Sequence, residues 1–277
     1  VEKDAWEAIM IPKRCDTPWT YYMEPFRICQ DVYFVGSYTG SAHLIDTGDG
    51  LILLDSSYPQ YLYQIIANIQ KLGFDFRNIK YILHSHGHYD HGGGLARFLE
   101  RNTKAPIYLS CHAFGGHYNA AGKYIGLDRN LQKNNRLIFT DGKTTIAPNL
   151  TLHQIPVPPS DPAGLTMLEN GLQIPEDFRH EQYLQIEENG KNILISGCSH
   201  KGILQIMDQF HPDILVGGFH FMKIEDRARL ETAAKKLLEY PTMYYTGHCT
   251  GQAQFAILKE IMGSKLHALS TGHTFPL

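Results

Sequence analysis

The sequence predicts an α+β fold in which two β-sheets pack face to face with helices on the outside. Three observations predict it: strand-like apolar runs outnumber helical stretches, helices separate strands in both halves, and no composition change marks a linker. Each sheet and helix must bury one apolar side, and stacked layers satisfy that need. We expect an irregular N-terminal segment over residues 1–30 and a single domain over 31–277.

The first half begins with a predicted antiparallel meander. Three short apolar runs, VYFVGS, HLIDT and LILLDS, are separated by the turn signals Thr39-Gly40 and Gly48-Asp49-Gly50. Apolar residues at helical spacing predict a helix over 60–72. The elements predicted next are a strand over 79–83, a loop over 84–94, a helix over 95–100 and a strand over 107–109.

The middle of the chain is less regular. Strands are predicted over 137–139 and 150–155, and the proline-rich stretch 156–177 is predicted to be a long loop, a hypothetical lid over the site. The last hundred residues alternate again, beginning with a hairpin in which YLQIEE and NILISG flank the turn Asn189-Gly190. The elements predicted after it are helices over 203–210, 226–239 and 252–262, and strands over 213–217, 242–246 and 265–270.

Composition excludes several classes of protein. The 277 residues contain 25 Lys and Arg against 28 Asp and Glu without a basic run, so no nucleic-acid partner is expected. No apolar stretch approaches the roughly 18–20 residues of a membrane helix, and five cysteines without regular spacing do not form a disulfide framework. We expect a small-molecule substrate and a cytoplasmic protein, or a periplasmic or secreted one if a leader preceded Val1; the oligomeric state is undetermined.

The strongest functional motif is HGHYDH at residues 86–91. Four potential metal ligands, His86, His88, Asp90 and His91, fall within six residues directly after an apolar strand. One cation would take the first two side chains and a second cation the others, and imidazole with carboxylate suits zinc, iron or manganese. The alternative is a histidine-rich surface loop, but loops that follow buried strands commonly carry function.

This H-x-H-x-D-H motif resembles the signature of the metallo-β-lactamase superfamily. The resemblance implies a four-layer αβ/βα sandwich with a metal site at one sheet edge. It also implies that Asp55, which closes LILLDS, orients the metal loop without binding metal. His180, Cys198 and His248 match the family's remaining ligands, with Cys198 standing where most members have Asp. His153 is the alternative to His180, and His200 is the alternative to Cys198.

Further strings resemble a narrower group, which includes dihydropterin–ribofuranosylaminobenzene phosphate synthase-like proteins. They are GCSH at 197–200, GGFH at 217–220 and HCTG at 248–251. His200 and His220 follow strand ends and are candidates for substrate binding, as is Tyr89 in the metal loop. Other histidines are interpreted as ordinary residues: His84, His112, His117, His211, His267 and His273.

The function implied is a metallohydrolase with two divalent ions, most simply zinc. A metal-bound hydroxide would attack an ester, lactone, amide or phosphoester, and Asp90 would orient it and pass a proton to the leaving group. One alternative is a pterin-transferring synthase, for which Lys201, Lys223 and Arg227 are the evident anion-binding residues. Another is a non-catalytic metal-binding sensor.

Overall fold

The computed structural model describes residues 22–161 and 163–269, which divide into two compact units. Of the described residues, the first unit contains 22–140 and 164–176, and the second contains 141–161, 163 and 177–269. Each unit has its own seven-stranded sheet and its own apolar core. The prediction that residues 31–277 form a single domain stays a prediction.

The sheet of the first unit begins with the predicted antiparallel meander and continues with parallel strands. Strands β1 to β4 pair antiparallel in sequence order, and β4, β5, β6 and β8 then pair parallel. The strands are β1 (Phe26–Cys29), β2 (Val32–Phe34), β3 (His43–Asp46), β4 (Leu51–Leu54), β5 (Ile79–Leu83), β6 (Ile107–Ser110) and β8 (Leu137–Thr140). The meander prediction is confirmed.

Strand β1 corrects the prediction of irregular structure over residues 1–30. Cys29 pairs with Val32 across a tight turn in which Gln30 adopts φ 40°. Pro25 precedes the strand and therefore removes no hydrogen bond from the ladder. Residues 1–21, the rest of that prediction, lie outside the described residues.

The core of the first unit forms where helix α1 (Leu62–Lys71) packs on the sheet. Leu62, Ile65 and Ile69 are buried at helical spacing and share one cluster with sheet residues such as Leu53 and Ile82. Burying each such side chain contributes about 1.5–3 kcal/mol, so this face holds the helix on the sheet. Two shorter helices, α2 (Tyr89–Gly92) and α3 (Leu95–Arg101), follow strand β5.

A small three-stranded sheet corrects the prediction of a long loop over 156–177. It consists of β7 (Gly116–Tyr118), β11 (Thr166–Glu169) and β12 (Leu172–Pro175). Asn170 and Gly171 make the two-residue turn between β11 and β12, both with positive φ. Asn-Gly between strands is a strong hairpin signal. The surrounding prolines favoured the prediction of a loop instead.

The sheet of the second unit contains four parallel strands, which extend from its middle to one edge. Its order is β17-β16-β15-β14-β13-β10-β9, with parallel pairing from β14 to β17 and antiparallel pairing elsewhere. The strands are β9 (Lys143–Ala147), β10 (Leu150–His153), β13 (Tyr183–Glu188), β14 (Lys191–Ile195), β15 (Ile214–Val216), β16 (Met243–Thr246) and β17 (Leu266–Ala268).

Helices α4 (Ile203–Phe210), α5 (Arg227–Leu237) and α6 (Gln252–Met262) complete the core of the second unit. Ile206, Ala234 and Leu258, one from each helix, are fully buried in one cluster with Leu215 and Tyr244 of the sheet. No helix in the described ranges is long and apolar enough to span a membrane.

Strand direction decides where the candidate residues lie. Parallel strands end at the same sheet edge, so residues that follow them gather there. In the first unit, Asp55 follows β4 and the loop 84–91 follows β5. In the second unit, Cys198, His220 and His248 follow β14, β15 and β16, and His180 precedes the antiparallel β13 at that edge.

Candidate metal centre

The predicted metal loop follows β5 in the first unit and runs into the short helix α2, which contains Asp90 and His91. His86, His88 and His91 are buried, and the Asp90 side chain is 23% exposed. Gly87 lets the loop pass close to residue 113, because a Cβ at Gly87 would lie 2.4 Å from the carbonyl oxygen of Ala113. The loop therefore places three buried imidazoles beside one partly exposed carboxylate.

Asp55 organises this loop through three hydrogen bonds. Its carboxylate accepts from the Ser85 backbone N–H at 2.8 Å, from Ser85 Oγ at 2.8 Å and from His91 Nδ1 at 2.7 Å. Ser85 Oγ also lies 2.9 Å from His86 Nδ1. Because the single hydroxyl proton goes to Asp55, we infer that His86 Nδ1–H is the donor to Ser85. Both imidazoles then carry their lone pair on Nε2, the atom available to a metal.

The surroundings of Asp55 and His84 shift their pKa values so that Asp55 is ionised and His84 is neutral. Burial is the largest influence on Asp55 and would raise its pKa, but His91, His84 and the Ser85 N–H together bring that pKa below its ordinary value. Burial lowers the pKa of His84 to about 4, so its imidazole is neutral near pH 7. His84 Nδ1 lies 3.7 Å from Asp55 Oδ1, which fits the predicted packing role.

The loop side chains lie close enough to share cations. Potential ligand atoms lie within 4.8 Å of each other in the pairs His86 with His88, His86 with His91, and Asp90 with His91. The ring centroids of the first two pairs are 4.8 and 4.2 Å apart. Buried imidazole nitrogens with a carboxylate oxygen match the ligands of zinc, iron or manganese, so the donor set fits the metals predicted.

Two further residues join His88 in the first unit. His117 lies on β7 and Glu176 follows β12, and His117 Nδ1 is 2.9 and 3.1 Å from the two Glu176 carboxylate oxygens. Ligand atoms of His88, His117 and Glu176 all lie within 4.8 Å of one another. The sequence interpretation of His117 as ordinary therefore misses a buried polar cluster.

The second unit brings Cys198 close to His248. Their potential ligand atoms and the Cys249 sulfur lie within 4.8 Å of one another. Both cysteines are buried, and Cys249 Sγ is 3.6 Å from the Cys198 carbonyl oxygen. Cys249 is a potential ligand that the sequence analysis did not single out, although it belongs to the HCTG string.

Phe178 packs near three other candidate site residues in this unit. Its ring stacks on His200 with centroids 4.4 Å apart and lies 6.1 Å from the His180 ring, and His200 lies 4.2 Å from His220. His180 and His200 are buried. His153, the alternative to His180, instead packs its ring 5.3 Å from Phe210 and belongs to no group of potential ligands in the described ranges.

A buried carboxylate, Glu181, fixes the loop that carries His200. It accepts hydrogen bonds from the backbone N–H groups of His200 and Lys201 at 2.7 and 2.9 Å, and from Tyr183 Oη at 2.5 Å. Burial raises the pKa of Glu181 above its ordinary value, although these donors oppose the change. No local sequence pattern indicates this role, because residue 181 meets residues 200 and 201 only in the folded chain.

Three candidate residues and Ser199, which lies beside two more, adopt backbone conformations that L-amino acids rarely populate. Asp55, Ser199, His220 and His248 have φ values of 66°, 58°, 55° and 50°. Such conformations cost of order 1–3 kcal/mol each and concentrate at functional sites. The two sheet edges therefore carry backbone strain as well as potential ligands.

A polar cavity of about 370 Å³ lies within the second unit. Its lining includes both candidate substrate-binding histidines and two basic residues: His200, His220, Lys223 and Arg229. Arg229 pairs with Asp161 at 3.0 Å. Tyr89, the third candidate, lies in the first unit and packs its ring 5.5 Å from that of Tyr58.

Comparisons with known proteins identify the family to which the chain is similar. The sequence model of the family described as the metallo-beta-lactamase superfamily matches residues 35–248. The 7,8-dihydropterin-6-methyl-4-(beta-D-ribofuranosyl)-aminobenzene-5'-phosphate synthase of Methanocaldococcus jannaschii is 27% identical over 78% of this chain and 82% of its own length.

Solved structures show the same fold. The crystal structure of Tm1679, described as a metal-dependent hydrolase of the beta-lactamase superfamily, is 28% identical and covers 86% of this chain and 91% of its own, with a TM-score of 0.68. A metallo-beta-lactamase of Cronobacter sakazakii is 19% identical, with a TM-score of 0.52 over 81% of this chain and 84% of its own. The predicted α+β fold is confirmed, and the chain belongs to the metallo-β-lactamase superfamily.

Proposed function

We propose that this chain is a metal-dependent hydrolase that binds two divalent ions, zinc in the first instance, with iron or manganese as alternatives. One observation carries the proposal: Asp55, directly and through Ser85, fixes the Nδ1 protons of His91 and His86 and leaves both Nε2 atoms for a metal. Carboxylates that orient metal-binding histidines in this way are common around catalytic ions.

The ligands we propose follow the family motif. His86, His88 and His180 would hold one ion, and Asp90, His91, Cys198 and His248 the other. The proximity of potential ligand atoms within each unit supports this assignment for the loop residues and for Cys198 with His248. His200 remains the alternative to Cys198.

The residues around the ions have distinct tasks in the proposed reaction. Bound divalent ions supply a Lewis acid and lower the pKa of water towards neutrality. Asp90 is partly exposed beside buried histidines, so its carboxylate can accept a proton from water and deliver it to a leaving group. His200 and His220 line the polar cavity and would hold the substrate, with Tyr89 as a third contact.

The proposed substrate is a small ester, lactone, amide or phosphoester. A cavity of about 370 Å³ fits the size range of small-molecule pockets. The likeness to Tm1679, described as a metal-dependent hydrolase, supports hydrolysis as the reaction class.

The test is a metal-content assay combined with a screen of phosphoesters, lactones and β-lactams on the zinc-loaded protein. Asp90→Ala should lower kcat/KM at least about a hundredfold, the typical loss for an acid–base group. Asp49→Ala is the matched control, because that side chain is 94% exposed and pairs with Lys80 at the surface. Normal turnover by Asp90→Ala would contradict the mechanism, and metal binding without any turnover would favour the sensor alternative.

A second candidate is a pterin-transferring synthase, favoured by the 27% identity to the Methanocaldococcus jannaschii enzyme. The contacts of the predicted anion-binding residues do not favour the synthase. Lys201 Nζ donates to the carbonyl oxygens of Val157 and Asp177 at 2.6 Å each, and Arg227 pairs with Glu231 and Glu260. Lys223 alone of the three predicted anion-binding residues lines the cavity.

Mass spectrometry of reactions with a dihydropterin diphosphate and an aminobenzene ribofuranosyl phosphate separates the two candidates. A coupled product with release of diphosphate would establish the synthase. Turnover of an ester or lactone without coupling would establish the hydrolase.

A further inference from the structure

His117 and Glu176 form a buried pair in the first unit that the proposed ligand set does not use. Both side chains are at most 2% exposed. They are 59 residues apart in sequence, and the small sheet brings them together: His117 pairs with Met167 across β7 and β11, and the Glu176 N–H donates to Leu165. The fold thus uses a separate sheet to place this pair.

Backbone hydrogen bonds connect this pair to the metal loop. The Ile125 N–H donates to the His117 carbonyl at 2.8 Å, and the Tyr89 N–H donates to the Ile125 carbonyl at 2.8 Å. The rings of His117 and His88 have centroids 5.8 Å apart. The two histidines are therefore held in a fixed relation through residue 125.

The Glu176 carboxylate fixes which nitrogen of His117 carries the proton. An ionised carboxylate only accepts hydrogen bonds, so His117 Nδ1 is the donor to Glu176 and Nε2 carries the lone pair. The same carboxylate–imidazole arrangement, with Asp55 in place of Glu176, orients His91 in this unit. Burying a carboxylate beside an imidazole stabilises little by itself, which favours a functional reason for the pair.

The distances allow His117 and His88 to bind one ion. Two nitrogen ligands of a tetrahedral zinc ion with bonds of about 2.0–2.1 Å lie roughly 3.3 Å apart. Ligand atoms of His88, His117 and Glu176 lie within 4.8 Å of one another, so modest side-chain rotations bring the two histidines to that separation.

We propose that His117 is a further metal ligand, acting through Nε2 on the ion that His88 binds, and that Glu176 is the positioning residue that orients it. The proposal rests on the proposed function only in requiring that the chain bind a divalent metal. It adds a histidine to the ligands that the family motif predicts.

The experiment compares cobalt(II) binding by wild type, His117→Asn and Glu176→Gln. Asparagine places an amide N–H near the position of Nδ1, so it keeps a donor for Glu176 and removes only the Nε2 ligand. His112→Asn is the matched control, since this histidine is exposed and five residues upstream. The readouts are affinity by chelator competition, the visible cobalt absorption, and the thermal midpoint of the metal-free proteins.

We expect His117→Asn to weaken the affinity for one cobalt ion at least tenfold and to change its visible absorption, with an unchanged metal-free midpoint. Glu176→Gln should weaken that affinity about 10–100-fold, as expected for a group that orients a metal ligand. His112→Asn should match wild type. If His117→Asn does not fold, Glu176→Gln decides.

The proposal would be overturned if His117→Asn bound cobalt with wild-type affinity and absorption. If His117→Asn does not fold, the same result in Glu176→Gln would overturn it. The His117–Glu176 pair would then have a structural role alone. A wild-type protein that binds no cobalt would overturn both this proposal and the proposed function. A wild type that binds cobalt through His117 but hydrolyses nothing would overturn the hydrolase alone.

Discussion

His91 Nδ1 lies 2.7 Å from Asp55 Oδ2, and both side chains are buried. Asp55 follows one strand, and His91 lies in α2 after the parallel neighbour of that strand, so the sheet register sets this contact. Because Asp55 also receives both hydrogen bonds from Ser85, a single carboxylate determines the orientation of two candidate ligands.

The first prediction concerns Asp55→Asn. The Asn side chain has one acceptor oxygen where the carboxylate has two, and its NH2 group is a donor, so His91 or Ser85 loses its acceptor. We expect zinc affinity to fall about 10–100-fold, the usual cost of losing such an orienting group. Chelator competition measures this, with Asp49→Asn as a surface control. Unchanged affinity would show that His91 needs no orienting carboxylate.

The second prediction concerns Ser85→Ala, which removes the hydroxyl between Asp55 and His86 Nδ1. Loss of one buried hydrogen bond costs about 1–3 kcal/mol, and we expect the affinity of the ion at His86 to fall about fivefold or more. Nitrogen NMR of the metal-free protein should show His86 losing its single tautomer. A His86 tautomer unchanged in the variant would contradict the hydrogen-bond chain inferred above.

Local pattern predicted most of the elements because each signal lies within a short stretch of chain. The spacing of Leu62, Ile65 and Ile69 marks a buried helix face, and the loop 84–91 follows a strand whose apolar run is visible in sequence. Ser85 is adjacent to that motif, yet its role depends on Asp55, 30 residues away.

The residues that sequence reasoning missed depend on long-range pairing. His117 meets Glu176 only because β11 pairs with β7, and nothing local predicts that pairing. Glu181 meets the backbone of His200 only through the register of β13 and β14. A lone histidine or glutamate in a sequence gives no information about partners that the topology supplies.

The third prediction concerns the Cys198 thiolate as a metal ligand. If Cys198 binds metal, the cobalt-loaded protein should show sulfur-to-cobalt charge-transfer absorption that Cys198→Ser abolishes. Cys249→Ser tests the neighbouring sulfur in the same group, and Cys111→Ser is an exposed control. Persistence of the absorption in Cys198→Ser would assign the thiolate to Cys249 and return His200 as the alternative ligand.

The fourth prediction concerns metal removal. A ligand that binds only the folded state stabilises it by about 2.7 kcal/mol when its free concentration is a hundred times its dissociation constant. We therefore expect a chelator to lower the thermal midpoint, and zinc but not magnesium to restore it, because buried imidazoles favour zinc. Equal midpoints with and without chelator would indicate that the histidines hold no ion.

The last prediction concerns Glu181, whose carboxylate receives two backbone N–H groups and the Tyr183 hydroxyl. In Glu181→Gln an amide nitrogen, which is a donor, faces at least one of these donors, so a buried N–H or O–H loses its acceptor at a cost of about 1–3 kcal/mol. For a chain of this length we expect the thermal midpoint to fall by roughly 2–4 °C for each kcal/mol. Because the loop after residue 198 carries His200, we also expect a rise in KM for any substrate that His200 contacts. Glu187→Gln, on an exposed position of β13, is the control, and a Glu181→Gln protein with wild-type midpoint and KM would show that this carboxylate positions nothing.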